Sequence, residues 1–567
     1  MTTSLPDKKW DAIVVGSGAG GGMSAYVLAK AGLRVLMIEA GRDYDPLSET
    51  PMFDSEEKAP LGGAPTPDKP FGFYDATVGG GWDVPDEPYV VAEGSKFKWY
   101  RTRMLGGRTN HWGRVSLRFG PYDFAPHSRD GLGVDWPISY SDVAPYYDRV
   151  ERLIGVLGGQ EQHENEPPST GAQPPPPKRP SERLIERGFA SMGIPVAANR
   201  AAILTQPLGD RAACIYATPC MRGCSIKANF QSTTVLIPPA RETGNLEIRT
   251  DCLVDEVRLD KNGKASGVSY VNRKTGERQF AAARAVVLAA SACESARILL
   301  NSKSKRYPNG LANDSGQVGR NLMDSVGTNT VGQVPALEGA PSRNDDGIWL
   351  SHIYVPWWGY RQQAAKALDF PRGYHIELFG NRIKPDMFYN NATDFCDTPH
   401  GLGLREEMQR KYGSIVVLTG RGEMIPNADS YCEIDPVAKD RWGIPVLRFH
   451  WKWGESELKM ASHMRQTFRA FFEKVGGKIL FGGETDGVTA ITAGGEVIHE
   501  VGTTRMGASA RTSVVNQHGQ SWTVPNLYIA DGGVFASSPH KNPTLTILAL
   551  AWRSTDHLVR QLKKGAI

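Results

Sequence analysis

The stretch from Ile13 to Gly41 constrains this chain most. An apolar run, Ile13-Val14-Val15, breaks into Gly16-Ser17-Gly18-Ala19-Gly20-Gly21, and a second run, Val35-Leu36-Met37-Ile38, ends in Glu39-Ala40-Gly41. Between them Met23 to Ala31 reads as a helix closed by Gly32. Strand, glycine turn, helix and acid-ended strand follow one another as a dinucleotide-binding unit requires. Gly16 permits the tight turn, Gly18 lets the backbone approach a pyrophosphate, and Gly21 lets the helix pack closely on the strand. The helix start offers free N–H groups and partial positive charge to phosphates. Glu39 can accept from both ribose hydroxyls of an unphosphorylated adenosine, which favours FAD or NAD over NADP.

The chain has 567 residues, 40% hydrophobic and 22% charged, enough to bury a large core. Its formal net charge of +4 is small for that length, and no basic run stands out, so no nucleic-acid partner is expected. No apolar stretch reaches membrane-spanning length. Met1 to Lys9 carries neither an apolar signal core nor a twin-arginine pair. The chain is expected to stay in the cytoplasm or to be exported attached to a partner. Seven cysteines, an odd and sparse set, make no disulfide framework. Cys252, Cys293, Cys396 and Cys432 read as buried small apolar residues.

The expected fold is α/β: a Rossmann-like nucleotide domain with a second, α+β substrate domain built on an antiparallel sheet. Residues 1–325 form the first part of the nucleotide domain, 326–496 the substrate domain, and 497–567 return to the nucleotide domain. Residues 43–100 read as extended loops, Ser141 as the N-cap of an amphipathic helix, and the Pro-rich 158–181 as a surface insertion. Alternation from Leu246 to Val271 reads as a small antiparallel sheet, followed by the strand Ala285–Ala290 and a helix from Ser295 to Asn301. In the second domain Trp357, Trp358, Tyr374 and Phe379 suit either stacking on sugar rings or the core.

The last seventy residues carry the second anchor. His499-Glu500-Val501-Gly502 precedes the strand Asn526-Leu527-Tyr528-Ile529-Ala530, which ends in Asp531-Gly532, an acid able to hold a ribityl hydroxyl or a phosphate-bound water. Asn542-Pro543-Thr544 then leads into an apolar helix from Ile547 to Trp552. Read alone, Asn542 is a helix cap before Pro543, and His499 a core histidine.

Together these segments resemble the glucose–methanol–choline (GMC) flavoprotein oxidoreductases over residues 11–42, 101–114, 284–325 and 497–560. The resemblance implies FAD held by Gly16, Gly18, Gly21, Glu39, Ala40, Gly106, Gly107, Asn110, His111, Val254, Asp531, Gly532 and Thr544. It also implies a catalytic pair, His499 and Asn542. The chemistry suits those side chains: a neutral imidazole takes the hydroxyl proton, an amide holds the hydroxyl, and flavin N5 takes the hydride. Two departures stand out. Ala289-Ala290-Ser291 replaces the family's Ala-Ala-Gly, and His111-Trp112 is similar to the pair that carries covalent flavin in pyranose oxidases. Non-covalent FAD is expected.

Cys214, Cys220 and Cys224 form a C-x5-C-x3-C cluster with Pro219 and Gly223 between them. Thiolates this close suit an iron–sulfur cluster, and zinc lacks a fourth ligand nearby. The spacing is similar to that of the 3Fe–4S cluster in catalytic subunits of bacterial FAD-dependent sugar dehydrogenases. The resemblance extends to the glucoside 3-dehydrogenases. It implies oxidation of a sugar C3 hydroxyl, electrons leaving through the cluster to a cytochrome c, and export to the periplasm with a small signal-bearing subunit. A dehydrogenase acting at C1, on gluconate or on a polyol, and an oxygen-reducing pyranose oxidase, are the competing expectations.

Overall fold

The computed structural model describes residues 10–49, 61, 64, 66, 80–216, 220, 224–347, 350–380, 382 and 392–567. The N-terminal nine residues, and Pro219 and Gly223 of the cysteine loop, lie outside them.

The nucleotide unit forms as the glycine pattern requires. Strand β1 (Trp10–Val15) runs into helix α1 (Ala19–Lys30) and back to β2 (Val35–Ile38). Helix α1 starts at Ala19, four residues before the sequence reading. Glycine's poor helix propensity is overridden by packing, because Gly20, Gly21 and Gly22 are all buried. The amphipathic helix α2 (Tyr140–Ile154) is capped by Ser139, not Ser141, whose hydroxyl and backbone close a box with Asp142.

Strands β3 (Leu246–Arg249), β4 (Cys252–Leu259), β5 (Ala265–Asn272) and β6 (Arg278–Leu288) follow, then α3 (Ala292–Asn301). β3 pairs in parallel with β2, correcting the expectation that it belonged to the antiparallel group. β4 and β5 are antiparallel, and β5 pairs with the first half of β6. The second half of β6 enters the parallel sheet beside β1, with Val14 opposite Val287. One long strand thus welds a meander to a doubly wound sheet. Parallel strands covered on both faces need continuous apolar runs, and Ile13, Val14, Val286, Val287 and Leu288 are all buried.

The second layer is a four-stranded antiparallel sheet of β7 (Val326–Gln333), β8 (Tyr374–Gly380), β9 (Ile415–Gly422) and β10 (Lys478–Phe481), in the order β8-β9-β7-β10. Helix α4 (Glu455–Lys474) lies across it, burying Met460, Met464, Phe468, Phe471 and Phe472. A Cβ on Gly420 or Gly422 would stand 2.4 Å from a methionine sulfur of this helix, so the glycines are what allow α4 so close. Ile185 and Phe189, from the first stretch of the chain, pack into the same core. The 158–181 segment runs over the surface but is pinned by buried Asn165, Glu166, Ser169 and Arg179.

The chain's end completes the first layer. β11 (Leu527–Ile529) pairs in parallel with β6, Val287 opposite Tyr528. Helix α5 (Thr544–Lys563) lies on α1, with Trp552 edge-on to Tyr26 and the Thr555 hydroxyl 3.1 Å from that of Ser24.

Candidate active site

The glycines of the first turn divide by what a side chain would meet. A Cβ on Gly16, whose φ is +94°, would lie 2.4 Å from the Ala289 carbonyl oxygen; on Gly21, 2.0 Å from that of Gly16; on Gly20, 1.7 Å from that of Ala530. These three let helix, strand and C-terminal segment touch. Gly18 differs, because a Cβ there meets nothing within 4 Å. That side opens on a cavity of about 380 Å³. Its wall runs from Gly16 and Gly18 past Glu39, Ala40, Gly107, His111, Val254, Asp531 and Gly532 to Thr544, His499 and Asn542.

Each polar group along this wall has a fixed geometry. Glu39, at the end of β2, accepts from the Ser17 N–H (3.1 Å) and hydroxyl (2.5 Å) and from the Gly41 N–H (2.7 Å). Burial raises its pKa. Asp531, past the end of β11, accepts from the Gly533 N–H (2.9 Å) and the Ser295 hydroxyl (2.5 Å), and burial pushes it up to about 6. The His111 Nε2 pairs with the Thr102 hydroxyl at 2.8 Å. Gly106, with φ +89°, stands behind the wall and donates its N–H to Ser17. Asn110, expected beside the flavin, is also behind it: its amide donates to the Leu105 carbonyl (2.8 Å) and accepts from Thr233 (2.9 Å), buckling the Leu-Gly-Gly turn.

A cavity walled by an open glycine, a helix start and two acid-ended strands fits FAD. Gly18 supplies the cradle that a Cβ would fill, the start of α1 the phosphate site, and Glu39 the ribose acceptor.

His499 and Asn542 line the same cavity, both close to Glu377. His499 follows Ile498, a β-branched residue held at φ +64°. Its N–H donates to Asp324 at 2.9 Å and its Nδ1 pairs with the Ser325 hydroxyl at 3.0 Å. Burial, then the Arg421 guanidinium, drive its pKa down to about 3, so the ring is neutral in the physiological range. Asn542 is not the helix cap expected from its place in the sequence. That position falls to Pro543, and the Asn542 amide instead donates to Glu377 at 2.9 Å, with its oxygen buried and unpartnered.

Glu377 and Arg421 went unassigned in the sequence. On β8 the two-residue period turns Tyr374, Ile376 and Leu378 into the core and His375, Glu377 and Phe379 to the opposite side, where β9 sets Arg421 opposite His375. Burial alone would raise the Glu377 pKa. The hydrogen bond from His375, the charge of Arg421 and the amide of Asn542 hold it instead at about 2. A glutamate alternating with a histidine inside a buried, mostly apolar strand was the available signal. Of Trp357, Trp358, Tyr374 and Phe379, only Phe379 lines the cavity. Trp357 packs on Gly359, Gly373 and the Tyr374 ring, and the Tyr374 hydroxyl reaches His463 and Thr467.

Cys220 and Cys224 are buried and Cys214 half-buried. Burial and the two neighbouring thiols push the Cys214 pKa up to about 12. Cys220 packs with Val115 and Leu350, which themselves wall the cavity. Among the described residues no three His, Cys, Asp or Glu side chains form a group that could hold a metal ion. Cys252, Cys293 and Cys432 are buried; Cys396 is only half-buried. No described helix is long and apolar enough to cross a membrane.

Family models for the two parts of the GMC oxidoreductases match residues 11–326 and 426–551. The chain is 29% identical to 2-methyl-1,2-propanediol dehydrogenase of Mycolicibacterium austroafricanum, over 99% of this chain and 97% of that one. It is 27% identical to the fructose dehydrogenase large subunit of Gluconobacter japonicus, over 98% of each. Among solved structures it is similar in fold to formate oxidase of Aspergillus oryzae, with a TM-score of 0.67 and 15% identity over 99% of this chain and 100% of that one. The glycine turn, the acid-ended strands and the convergence of His499 with Asn542 therefore belong to a member of the GMC oxidoreductases, FAD-dependent enzymes that oxidise CH–OH groups.

Proposed function

We propose that this chain is the catalytic subunit of a sugar dehydrogenase that oxidises a secondary ring hydroxyl, at C3 of a glucoside or disaccharide, to the ketone. The observation that carries the reading is the shared cavity: the nucleotide turn, a neutral histidine and an oriented amide all line it. The hydroxyl gives its proton to the His499 ring nitrogen that faces the cavity, while Asn542 holds the same oxygen through its amide. Bound FAD would supply the acceptor for the hydride from the carbinol carbon, so the substrate loses two electrons and two protons in all, one proton to His499 and one within the hydride, as the C=O bond forms. Ser325 and Asp324 hold the ring and backbone of His499 in place. A cavity end lined by Glu377, Arg421 and His499 suits a polyhydroxy substrate better than a simple apolar alcohol.

A 3Fe–4S cluster would be held by Cys214, Cys220 and Cys224 and would supply an electron route to a cytochrome c, although these three side chains as placed do not form a group that could hold a metal ion. The support is the C-x5-C-x3-C spacing and the packing of Cys220 against residues that wall the cavity. Similarity to a relative named as a large subunit supports a multisubunit assembly. We place it in the periplasm, exported with a small signal-bearing subunit; active enzyme in the periplasm of cells expressing this chain alone would overturn the passenger route.

The test is anaerobic addition of a sugar panel to the purified enzyme, following flavin absorbance, with iron analysis and NMR of the product. Bleaching by a glucoside, a 3-keto product and about three iron atoms per flavin are expected. A C1 lactone, or oxidised gluconate or polyol, moves the assignment to another position, and peroxide without iron makes the enzyme an oxidase.

A further inference from the structure

The catalytic end of the cavity holds more polar chemistry than the removal of one hydride needs. Two buried arginines elsewhere in the chain are each tied down by several partners: Arg103 binds Glu87 and Glu294, and Arg372 binds Asp130, Glu423 and the Leu132 carbonyl. Arg421 is not. Among the described residues its guanidinium meets one carboxylate, Nε standing 3.5 Å from Glu377, and the side chain keeps 19% of its surface open where it lines the cavity. Its remaining N–H donors are free for a ligand.

Glu377 is divided in the same way. One carboxylate oxygen, Oε1, takes the Asn542 amide at 2.9 Å and pairs with His375 at 3.4 Å; the other, Oε2, meets only Arg421 among the described residues. A spare acceptor beside spare donors complements a hydroxyl, which both donates and accepts. The position of that hydroxyl follows from Asn542. The two oxygens of Glu377 are joined through one carbon, and the first is bonded to the amide that holds the reacting oxygen. A group bound at the second would sit within one carboxylate's width of the first, a spacing that a hydroxyl on the neighbouring carbon can reach.

We propose that Glu377 and Arg421 together bind the hydroxyl adjacent to the one being oxidised, so that the site selects a vicinal diol unit over an isolated alcohol. This rests on the reading of His499 and Asn542 as the alcohol-binding pair, not on which sugar is used. Glu377 has a second part as a positioning residue: its ionised oxygen keeps the Asn542 N–H groups, not the carbonyl, on the carboxylate side.

The test uses oxidised holoenzyme with trans-cyclohexane-1,2-diol and cyclohexanol, which differ by one hydroxyl. Calorimetric binding and anaerobic flavin bleaching are both read. Wild type is expected to favour the diol by about 10-fold or more in binding and about 100-fold in kcat/KM, the range for losing a hydrogen bond to a charged group. Arg421→Met brings both ratios to within about three-fold, raising KM for the diol more than it lowers kcat, and Arg421→Lys restores part of the preference. Glu377→Gln lowers the preference and also kcat, because the Asn542 amide loses its orienting charge. Equal treatment of the two probes by wild type, no measurable diol binding, or an unchanged ratio in Arg421→Met overturns the inference. The first two of these outcomes are read on wild type alone, so a variant that fails to fold does not shield the inference. A diol preference without bleaching by any sugar would leave this inference standing and remove the sugar assignment; bleaching by a glucoside with no diol preference does the reverse.

Discussion

Ser291 offers the sharpest test of how backbone conformation and chemistry are matched in this chain. It closes β6 and leads into α3 with φ +93° and ψ 159°, a region that belongs almost wholly to glycine. A side chain held there costs about 1–3 kcal/mol. The Ser291 N–H donates to Asp531 and the residue lines the cavity, but its hydroxyl makes no hydrogen bond among the described residues. Ser291→Gly removes the strain and, against that, frees the unfolded chain by about 0.4–1 kcal/mol. The net expectation is a gain of about 0.5–2 kcal/mol. Unfolding entropy of about 2.1 cal/mol/K per residue, spread over this length, makes each kcal/mol worth only about 1 °C. Scanning calorimetry of the apoprotein, with Ser291→Ala as control, is the assay. Glycine should melt higher by about 0.5–2 °C, while alanine, which keeps the Cβ, should match wild type. A glycine variant that melts at or below wild type would refute the strain argument.

Gly18→Ala should fold with an unchanged melting point yet purify with little FAD, whereas Gly20→Ala should fail to fold, its Cβ falling 1.7 Å from the Ala530 oxygen; flavin content and melting curves separate the two. His499 is held neutral by burial and by Arg421, so kcat/KM should show no ascending limb near pH 6.5, and the appearance of one in wild type would contradict the assignment. Its depressed pKa makes the fold lose stability as pH falls below about 6.5 towards 3, because the unfolded chain takes up the proton first. Asp324 acts in the opposite sense. Burial, then the nearby charge of Glu500, push it from 3.8 up to about 7, so the fold binds its proton more tightly and stability declines as pH rises from about 4 to 7. Asp324→Asn should flatten that part of a stability–pH curve, and an unchanged slope would show that another group is responsible.

What could be read from the sequence was local. The turn from Gly16 to Gly21, Glu39 at a strand end and Asp531 after another all draw their meaning from immediate neighbours, and Gly16, Gly18, Glu39 and Asp531 line one cavity. Asn110 does not, and its neighbours say nothing of Thr233, which takes its amide oxygen. Glu377 carried a local hint as an acid within a mostly apolar run, but its partnership with Arg421 was not legible: only the pairing of His375 with Arg421 across β8 and β9 turns them toward one point. Alternation alone could not tell that Leu246–Arg249 joins a parallel sheet, since a half-buried strand carries the same pattern in either direction. The tryptophans were equally ambiguous, and the glycines at 359 and 373 that seat Trp357 are what bury it.

The closing of the parallel sheet by β11 and α5 has a consequence for biosynthesis. While the ribosome is still adding the last stretch, the nascent nucleotide turn lacks the Ala530 carbonyl that seats Gly20 and the helix that covers α1. Domains usually acquire structure in the order of their synthesis; this one stays open until its tail arrives. The nucleotide turn therefore depends on residues 527–563 for its final shape, and a nick just before Leu527 disables the first motif as surely as a mutation within it.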